Sequence, residues 1–345
     1  MTRWAVILAG GVGSRFWPLS TPERPKQLLP LVNDEPLLVN TFRRLGDIVP
    51  MERTLVLTNA SLVDAIASVV PSLPAENIIA EPKPAGTAAA LAWAAKEIER
   101  RTGPESTMLC VHADWAVADD AGFRAALLAA EEVAVTDEAL VTVGIVPTRG
   151  EPGFGYIQPG KASATGSRQV TRFVEKPDRA RAETMMHEGY LWNSGIFVWR
   201  AGDFLAEVRA LTPEVAGALD GHAGEGLAAF FDAVEPISVD VGVMERSGRV
   251  RVVSGDFGWD DVGTWGALRR VKPADADGNV TSGRVFAHES NGNVVHADGS
   301  SVVLYGVSDL VVVSRGGFTL VTTTEKSADL KALIDSLPSD MREIG

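Results

Sequence analysis

The chain has 345 residues, 46% of them apolar and 22% charged, with one cysteine and five histidines. That composition allows one large domain or a large and a small one, and it excludes a disulfide framework or a cysteine-rich zinc site. A formal net charge of −13 removes the basic footprint that non-specific nucleic-acid binding needs, and no run approaches the ~20 apolar residues of a membrane span.

Trp4–Ala9 reads as a buried strand that runs straight into glycines. It is too short for a signal-peptide core, so a soluble, cytoplasmic protein is expected. Residues 3–26 hold four cations, Arg3, Arg15, Arg24 and Lys26, against one acid, Glu23. In an acidic chain, that local excess suits a small anionic ligand. Ala9-Gly10-Gly11-Val12-Gly13-Ser14-Arg15 stands where a phosphate-binding turn would follow a strand. Glycines there let backbone N–H groups approach a ligand closely, and Arg15 adds a planar donor fork. The dinucleotide fingerprint fails because Phe16 occupies the place of its third glycine. Walker A fails because no Gly-Lys-Ser/Thr follows.

Further strands are expected at Thr54–Thr58, Ile78–Ala80, Thr107–Val111 and Leu140–Val146. Helices are expected near 35–46, 61–70, 86–101 and 120–135. Continuous apolar runs imply burial on both faces, so the first 150 residues predict a doubly wound α/β fold with ligands at the carboxyl ends of strands. From about 151 to 270 the rhythm is less regular and reads as an insertion that extends the same sheet and walls a cleft. Pro273-Ala-Asp-Ala-Asp-Gly278 has turn chemistry and no apolar period, and marks a boundary. Beyond it, β runs at Arg284–His288, Asn293–His296, Ser301–Leu304, Leu310–Val313 and Phe318–Val321 predict a small all-β unit, and Ser327–Leu337 a closing amphipathic helix. The expected division is residues 1–272 as the main domain and 279–345 as a small β-helix-like domain.

Longer strings carry more. LAGGVGSRFWPLS followed by Pro25-Lys26-Gln27 resembles the opening motif of the sugar-nucleotide pyrophosphorylases, and its Trp-Pro-Leu-Ser and Lys-Gln details resemble the mannose-1-phosphate guanylyltransferase branch. The resemblance covers most of the chain. It implies a Rossmann-like, doubly wound mixed sheet with a small C-terminal β domain. Gly10, Gly11, Gly13 and Ser14 would cradle nucleotide phosphates, with Arg15 and Lys26 catalytic. Glu81-Pro82 and Gly86-Thr87-Ala88, opening a helix, resemble the base-recognition segment. His112-Ala-Asp114 resembles the strand end whose Asp holds a divalent cation, with Trp115 where relatives commonly have His. His112 reads as a structural neighbour and Cys110 as a small buried side chain.

Gly155 in Gly153-Phe-Gly155-Tyr156-Ile157 resembles the sugar-binding turn. Glu175 and Lys176 fall in a segment like the family's FVEKP, and Asn193 in one like its WNxGxF run. Asp240 lies in a further sugar-side segment. Phe257-Gly-Trp259-Asp260-Asp261-Val262-Gly263-Thr264-Trp265 resembles W-x-D-V-G-T/S-W, whose Asp before Val-Gly is the second metal carboxylate. That assigns Asp261 to the metal and leaves Asp260 a neighbouring acid. The tryptophans near these strings read as core.

The resemblance implies that GMP passes from GTP to mannose 1-phosphate by direct attack on the α-phosphorus, with Mg²⁺ held by Asp114 and Asp261. It also implies a homodimer through the C-terminal domain, and no isomerase activity. Two other readings stay open here: a pyrophosphorylase for another base or sugar, and a non-catalytic GDP-mannose-binding regulator.

Overall fold

The computed structural model describes residues 1–11, 13–163 and 166–342; the side chains of Ser14, Ser339 and Asp340 also lie outside the description. Near-continuous apolar runs become strands, and segments with a helical period become helices. In chain order these are β1 (Arg3–Leu8), α1 (Leu37–Leu45), β2 (Thr54–Asn59), α2 (Val63–Val69), β3 (Ile78–Glu81), α3 (Gly86–Thr102), β4 (Thr107–His112), α4 (Asp120–Thr136) and β5 (Leu140–Ile145). There follow β6 (Tyr156–Ala162), β7 (Arg168–Val174), α5 (Arg179–His187), β8 (Leu191–Arg200), α6 (Ala201–Leu211), α7 (Pro213–Gly221), α8 (Leu227–Ala233) and β9 (Val250–Gly255). After these come α9 (Leu268–Val271), β10 (Val280–His288), β11 (Val294–Tyr305), β12 (Leu310–Arg315), β13 (Phe318–Thr323), α10 (Leu330–Ser336) and α11 (Ser339–Arg342).

By internal contacts the chain forms two compact units. The first gathers residues 1–10, 42–113 and 119–257; the second gathers 11–41, 114–118 and Gly258 onward. The acid-rich turn at 273–278 lies inside the second.

In the first unit, the described residues form a nine-stranded mixed sheet ordered β3-β2-β1-β4-β8-β5-β9-β7-β6. The strands β3, β2, β1 and β4 are parallel. Ala5, Val6 and Ile7 are fully buried, as a strand covered on both faces requires. Most of the insertion extends the sheet as expected. β8 instead enters its middle, antiparallel to both β4 and β5, and Ile196–Trp199 there are as buried as any central strand. α3 buries Ala88, Ala89, Ala92 and Ala95 along one side, small residues that combine high helix propensity with close approach. Asp119 caps α4, its carboxylate accepting from the Ala121 amide at 3.0 Å.

In the second unit, β10, β11 and β12 are parallel and β13 is antiparallel to β12. The sequence predicts two strands at Asn293–His296 and Ser301–Leu304, but they are one strand, β11. Asp298-Gly299 bends it without ending it, and the register against β10 shifts between Ser282 and Arg284. Phe16, Leu19, Leu29 and Leu31 share one core with Trp265, Val280, Val294, Val311 and Leu330. The segment after the glycine loop is thus held by the β unit. Among the described residues, no helix is long and apolar enough to cross a membrane.

Candidate functional site

In the second unit, Gly13 has φ +66°, and a Cβ there would fall 2.3 Å from the Lys26 Cβ. Only glycine lets the loop turn back over that lysine. The Gly13 carbonyl accepts from the Ser20 hydroxyl at 2.8 Å. Val12 lies outside the described residues, as does the Ser14 side chain. A Cβ on Gly11 would meet nothing within 4 Å, so internal packing does not require glycine there.

Lys26 is 5% exposed and lies in a short 3₁₀ turn after Pro25. Its ammonium donates to Asp114 Oδ2 at 2.9 Å and to the Asp261 main-chain oxygen at 2.6 Å. Residues 88 and 235 positions distant in sequence meet on one charge.

A short antiparallel bridge sets the register of the two acidic segments. The Ala116 amide donates to the Asp260 carbonyl at 2.9 Å, and the Asp260 amide returns a bond to Ala116 at 3.0 Å. The Asp260 carboxylate is clamped twice. Arg270 donates to both oxygens, at 2.6 and 3.0 Å, and the Val262 amide donates to one at 2.9 Å. Val262 is buried at φ +47°, a left-handed conformation that a β-branched residue holds only when its surroundings over-determine it. The next amide, Gly263, donates to Asp261 Oδ1 at 3.1 Å. A Cβ on Gly263 would fall 2.6 Å from Asp261 Oδ2 and 3.4 Å from an Arg15 guanidinium nitrogen, so Arg15 and Asp261 flank one glycine. Trp115 is buried edge-on against Trp259, ring centroids 5.8 Å apart. Trp115 is thus a packing partner for the other acidic string.

Burial pushes the Asp261 carboxyl above its usual range; Lys26 opposes the rise, and Asp260 and Asp114 add to it. A divalent cation would relieve that build-up of negative charge. The donors are hard carboxylate oxygens, and the described residues offer no cluster of three or more His, Cys, Asp or Glu for a metal. Two carboxylates fit an ion such as Mg²⁺, which completes its shell with phosphate oxygens and water.

In the first unit, the residues expected to meet a sugar come together. Asn193 Nδ2 donates to Asp240 Oδ1 at 2.7 Å, and the Asn193 amide donates to the Gly155 carbonyl at 2.8 Å. A Cβ on Gly155 would fall 2.8 Å from Glu175 Oε2 and 3.4 Å from the Asn193 Cβ. The Lys176 ammonium donates to the Glu175 carboxylate, both side chains more than half exposed. Burial raises the Asp240 carboxyl, while its bond from Asn193 and the nearby His112 pull it down and Glu175 pushes it up. Asp240 is therefore the half-buried end of a polar group whose exposed end is Glu175 and Lys176.

The segments expected to read a base lie in the same unit. Glu81 ends β3, and a Cβ on Gly10 would fall 3.9 Å from its Oε1. Burial pushes the Glu81 carboxyl up to about 7. Pro82 follows it, exposed. Gly86 opens α3 at φ +79°, where a Cβ would lie 2.2 Å from the Ile237 carbonyl oxygen. The Thr87 hydroxyl accepts from the Val239 amide at 2.9 Å and keeps its own hydrogen to donate. Residues 237–239, which run into the sugar-side segment of Asp240, thus seal the helix start. Sequence reasoning missed Arg270. Its one signal is the Asp260-Asp261 pair, since a buried second acid requires a cation. The neighbouring tryptophans are core: Trp17, Trp115, Trp192, Trp259 and Trp265 are each under a tenth exposed.

Residues 4–278 match the model of the family described as nucleotidyl transferase. The chain is 38% identical to a mannose-1-phosphate guanylyltransferase of Klebsiella pneumoniae, over 98% of this chain and 74% of that one. It is 35% identical to the alginate biosynthesis protein AlgA of Pseudomonas aeruginosa, over 98% and 72%. Among solved structures, a Thermus thermophilus protein described as a mannose-1-phosphate geranyltransferase superposes with a TM-score of 0.91 at 36% identity, covering 97% of this chain and 99% of that one.

Proposed function

Since this chain belongs to the nucleotidyl transferase family, we propose that it transfers GMP from GTP to α-D-mannose 1-phosphate, giving GDP-mannose and pyrophosphate. The observation that carries the catalytic part is the buried Lys26 ammonium, bonded to Asp114 and to the Asp261 main chain beside Arg15. The choice of GTP and mannose 1-phosphate follows the names of the relatives.

A phosphate oxygen of the sugar attacks the α-phosphorus in line; the new O–P bond forms as the bond to the β-phosphate oxygen breaks, and pyrophosphate leaves with that electron pair. No covalent enzyme intermediate is needed. The work is positioning and charge stabilisation. Gly10, Gly11, Gly13 and Ser14 present the loop to the phosphates, and Arg15 takes up charge on the leaving pyrophosphate. Two of the Lys26 donors are engaged by the protein, and its third is left for an α-phosphate oxygen. Glu81, Pro82, Gly86 and Thr87 meet the purine. Gly155, Glu175, Asn193 and Asp240 take the sugar hydroxyls, and Lys176 takes the sugar phosphate. Asp114 and Asp261 would hold Mg²⁺, which supplies Lewis-acid charge neutralisation to the phosphates when bound.

A homodimer through residues 279–345 is part of the same reading. It is supported by an apolar face on the small sheet, where Phe286, Val303 and Tyr305 are each more than 60% exposed. A reduced, cytoplasmic setting suits the single buried Cys110 and the phosphorylated substrates.

Pyrophosphate release with GTP, mannose 1-phosphate and Mg²⁺, compared against other NTPs and hexose 1-phosphates, tests the assignment. Asp114→Asn and Asp261→Asn should each lower kcat by roughly 100- to 1000-fold with unchanged circular dichroism, the scale of losing one electrostatic contact to the transition state. Near-normal Mg²⁺-dependent turnover in both variants removes the two-carboxylate assignment. GDP-mannose binding without any pyrophosphate release in the wild type would favour a regulator.

A further inference from the structure

The loop from β5 to β6 carries a cation that the proposed reaction leaves without a task. Arg149 is half-buried there, with a carboxylate and two aromatic rings around its guanidinium. Its Nε donates to Glu151 Oε2 at 3.0 Å. Its central guanidinium carbon lies 4.9 Å from the Trp192 ring centroid and 5.6 Å from that of Phe154. The two rings meet edge-on, centroids 5.1 Å apart, and each is under a tenth exposed. Each ring is also the chain neighbour of a residue assigned above to the sugar: Phe154 precedes Gly155, and Trp192 precedes Asn193. The Asn193 amide donates to the Gly155 carbonyl at 2.8 Å, so one guanidinium braces both halves of that pair.

Glu151 extends the brace into the loop. Its Oε1 accepts the Gly153 amide at 3.2 Å, and its own amide donates to the Tyr156 hydroxyl at 2.9 Å. That hydroxyl donates in turn to the Glu151 carbonyl at 3.2 Å. Tyr156 is fully buried and stands opposite Trp192 in the pairing of β6 with β8. Side chains alternate along a strand, so Trp192 and Asn193 leave β8 on opposite faces. Arg149 stacks on the Trp192 side, whereas a sugar held by Asn193 lies on the other. It therefore acts on the backbone that holds the sugar and not on the sugar itself. A guanidinium suits this task because one planar group can lie over a ring and still donate in its plane to a carboxylate.

We propose that Arg149 is a positioning residue for the sugar phosphate, keeping Gly155 and Asn193 in register through Phe154 and Trp192. This rests on the assignment of Gly155 and Asn193 to the sugar. Without the guanidinium the two rings repack and the Gly155–Asn193 pair loosens, so the sugar phosphate binds more weakly. None of these contacts involves Glu81, Gly86 or Thr87, so the nucleotide is bound as before.

Steady-state pyrophosphate release by Arg149→Met, which keeps the apolar stem and loses the charged fork, separates this role from a general loss of stability. The KM for the hexose 1-phosphate that the wild type uses best rises roughly 10- to 100-fold, the scale of a small misplacement, while the KM for the NTP stays within about twofold. Arg149→Lys keeps a cation beside Glu151 but not the planar fork, and its sugar-phosphate KM falls between those of the wild type and Arg149→Met. An unchanged sugar-phosphate KM, or equal rises in both KM values, overturns the proposal. If Arg149→Met does not fold, Arg149→Lys decides by the same split between the two KM values. A wild type that turns over no hexose 1-phosphate removes the proposed function itself, and amide hydrogen exchange then judges Arg149. Residues 150–156 and 191–195 exchange faster in the variant while α3 keeps its rate. Equal exchange in variant and wild type overturns the role.

Discussion

Lys26 is where most of the candidate chemistry converges, and its position depends on a neighbour that does no chemistry. Asp260 carries the paired backbone bonds to Ala116, accepts the Val262 amide, and is held by Arg270. Arg270→Met removes the cation from a carboxylate that is 6% exposed while Arg270 itself is 38% exposed. A loss of about 2–3 kcal/mol is expected, below the value for a fully buried pair. Because Asp261 follows directly, kcat should fall more than KM for GTP, measured by steady-state pyrophosphate release at a temperature where the variant is folded. Glu81 gives a second residue-level prediction. Its carboxyl is raised by burial from 4.5 to about 7, so the folded protein holds that proton more tightly than the unfolded chain. The associated stability is full below about pH 4.5 and is lost as pH rises through about 7. Glu81→Gln should flatten that part of the Tm-versus-pH curve. An unchanged curve would show that the wild-type slope comes from other groups.

Among the elements, α3 combines a strong local preference with one strict positional demand. Its alanines and the Glu97–Arg100–Arg101 ion pairs favour helix by propensity and by i,i+3 and i,i+4 spacing. Its first residue is another matter. Gly86 has φ +79° and sits against the Ile237 carbonyl, so Gly86→Ala adds both backbone strain and a clash. We expect a cost of about 3 kcal/mol or more, read as a lower urea midpoint at unchanged m. Ala90→Gly, in the same helix, should cost about 1 kcal/mol. Similar losses for the two variants would place the demand in helix propensity and not in the contact with 237–239.

For the whole molecule, the exposed apolar residues of the small sheet matter most. Phe286 and Val303 are register neighbours across β10 and β11, and His288 stacks on Tyr305 at 5.6 Å. A chain with net charge −13 has every electrostatic reason to stay apart from its copies, so an exposed face of this kind would have to be covered by a specific contact. Phe286→Asp/Val303→Asp should shift the sedimentation coefficient to that of a monomer while leaving circular dichroism unchanged. A monomeric wild type at micromolar concentration would remove the dimer from the reading.

By itself the sequence determined the local order of elements: β1 to β5, the helices between them and the small β unit follow from continuous apolar runs, helical periodicity and glycine punctuation, which act over a few residues. Motif strings also singled out Lys26, Asp114, Asp261, Asn193 and Asp240. Only the tertiary structure decided which of these touch. The antiparallel entry of β8 between β4 and β5, the joining of two expected strands into β11, the Arg270 clamp on Asp260 and the Trp115–Trp259 pair all arise between segments distant in sequence. Their energies come from burial and pairing in three dimensions, which spacing along a chain does not encode.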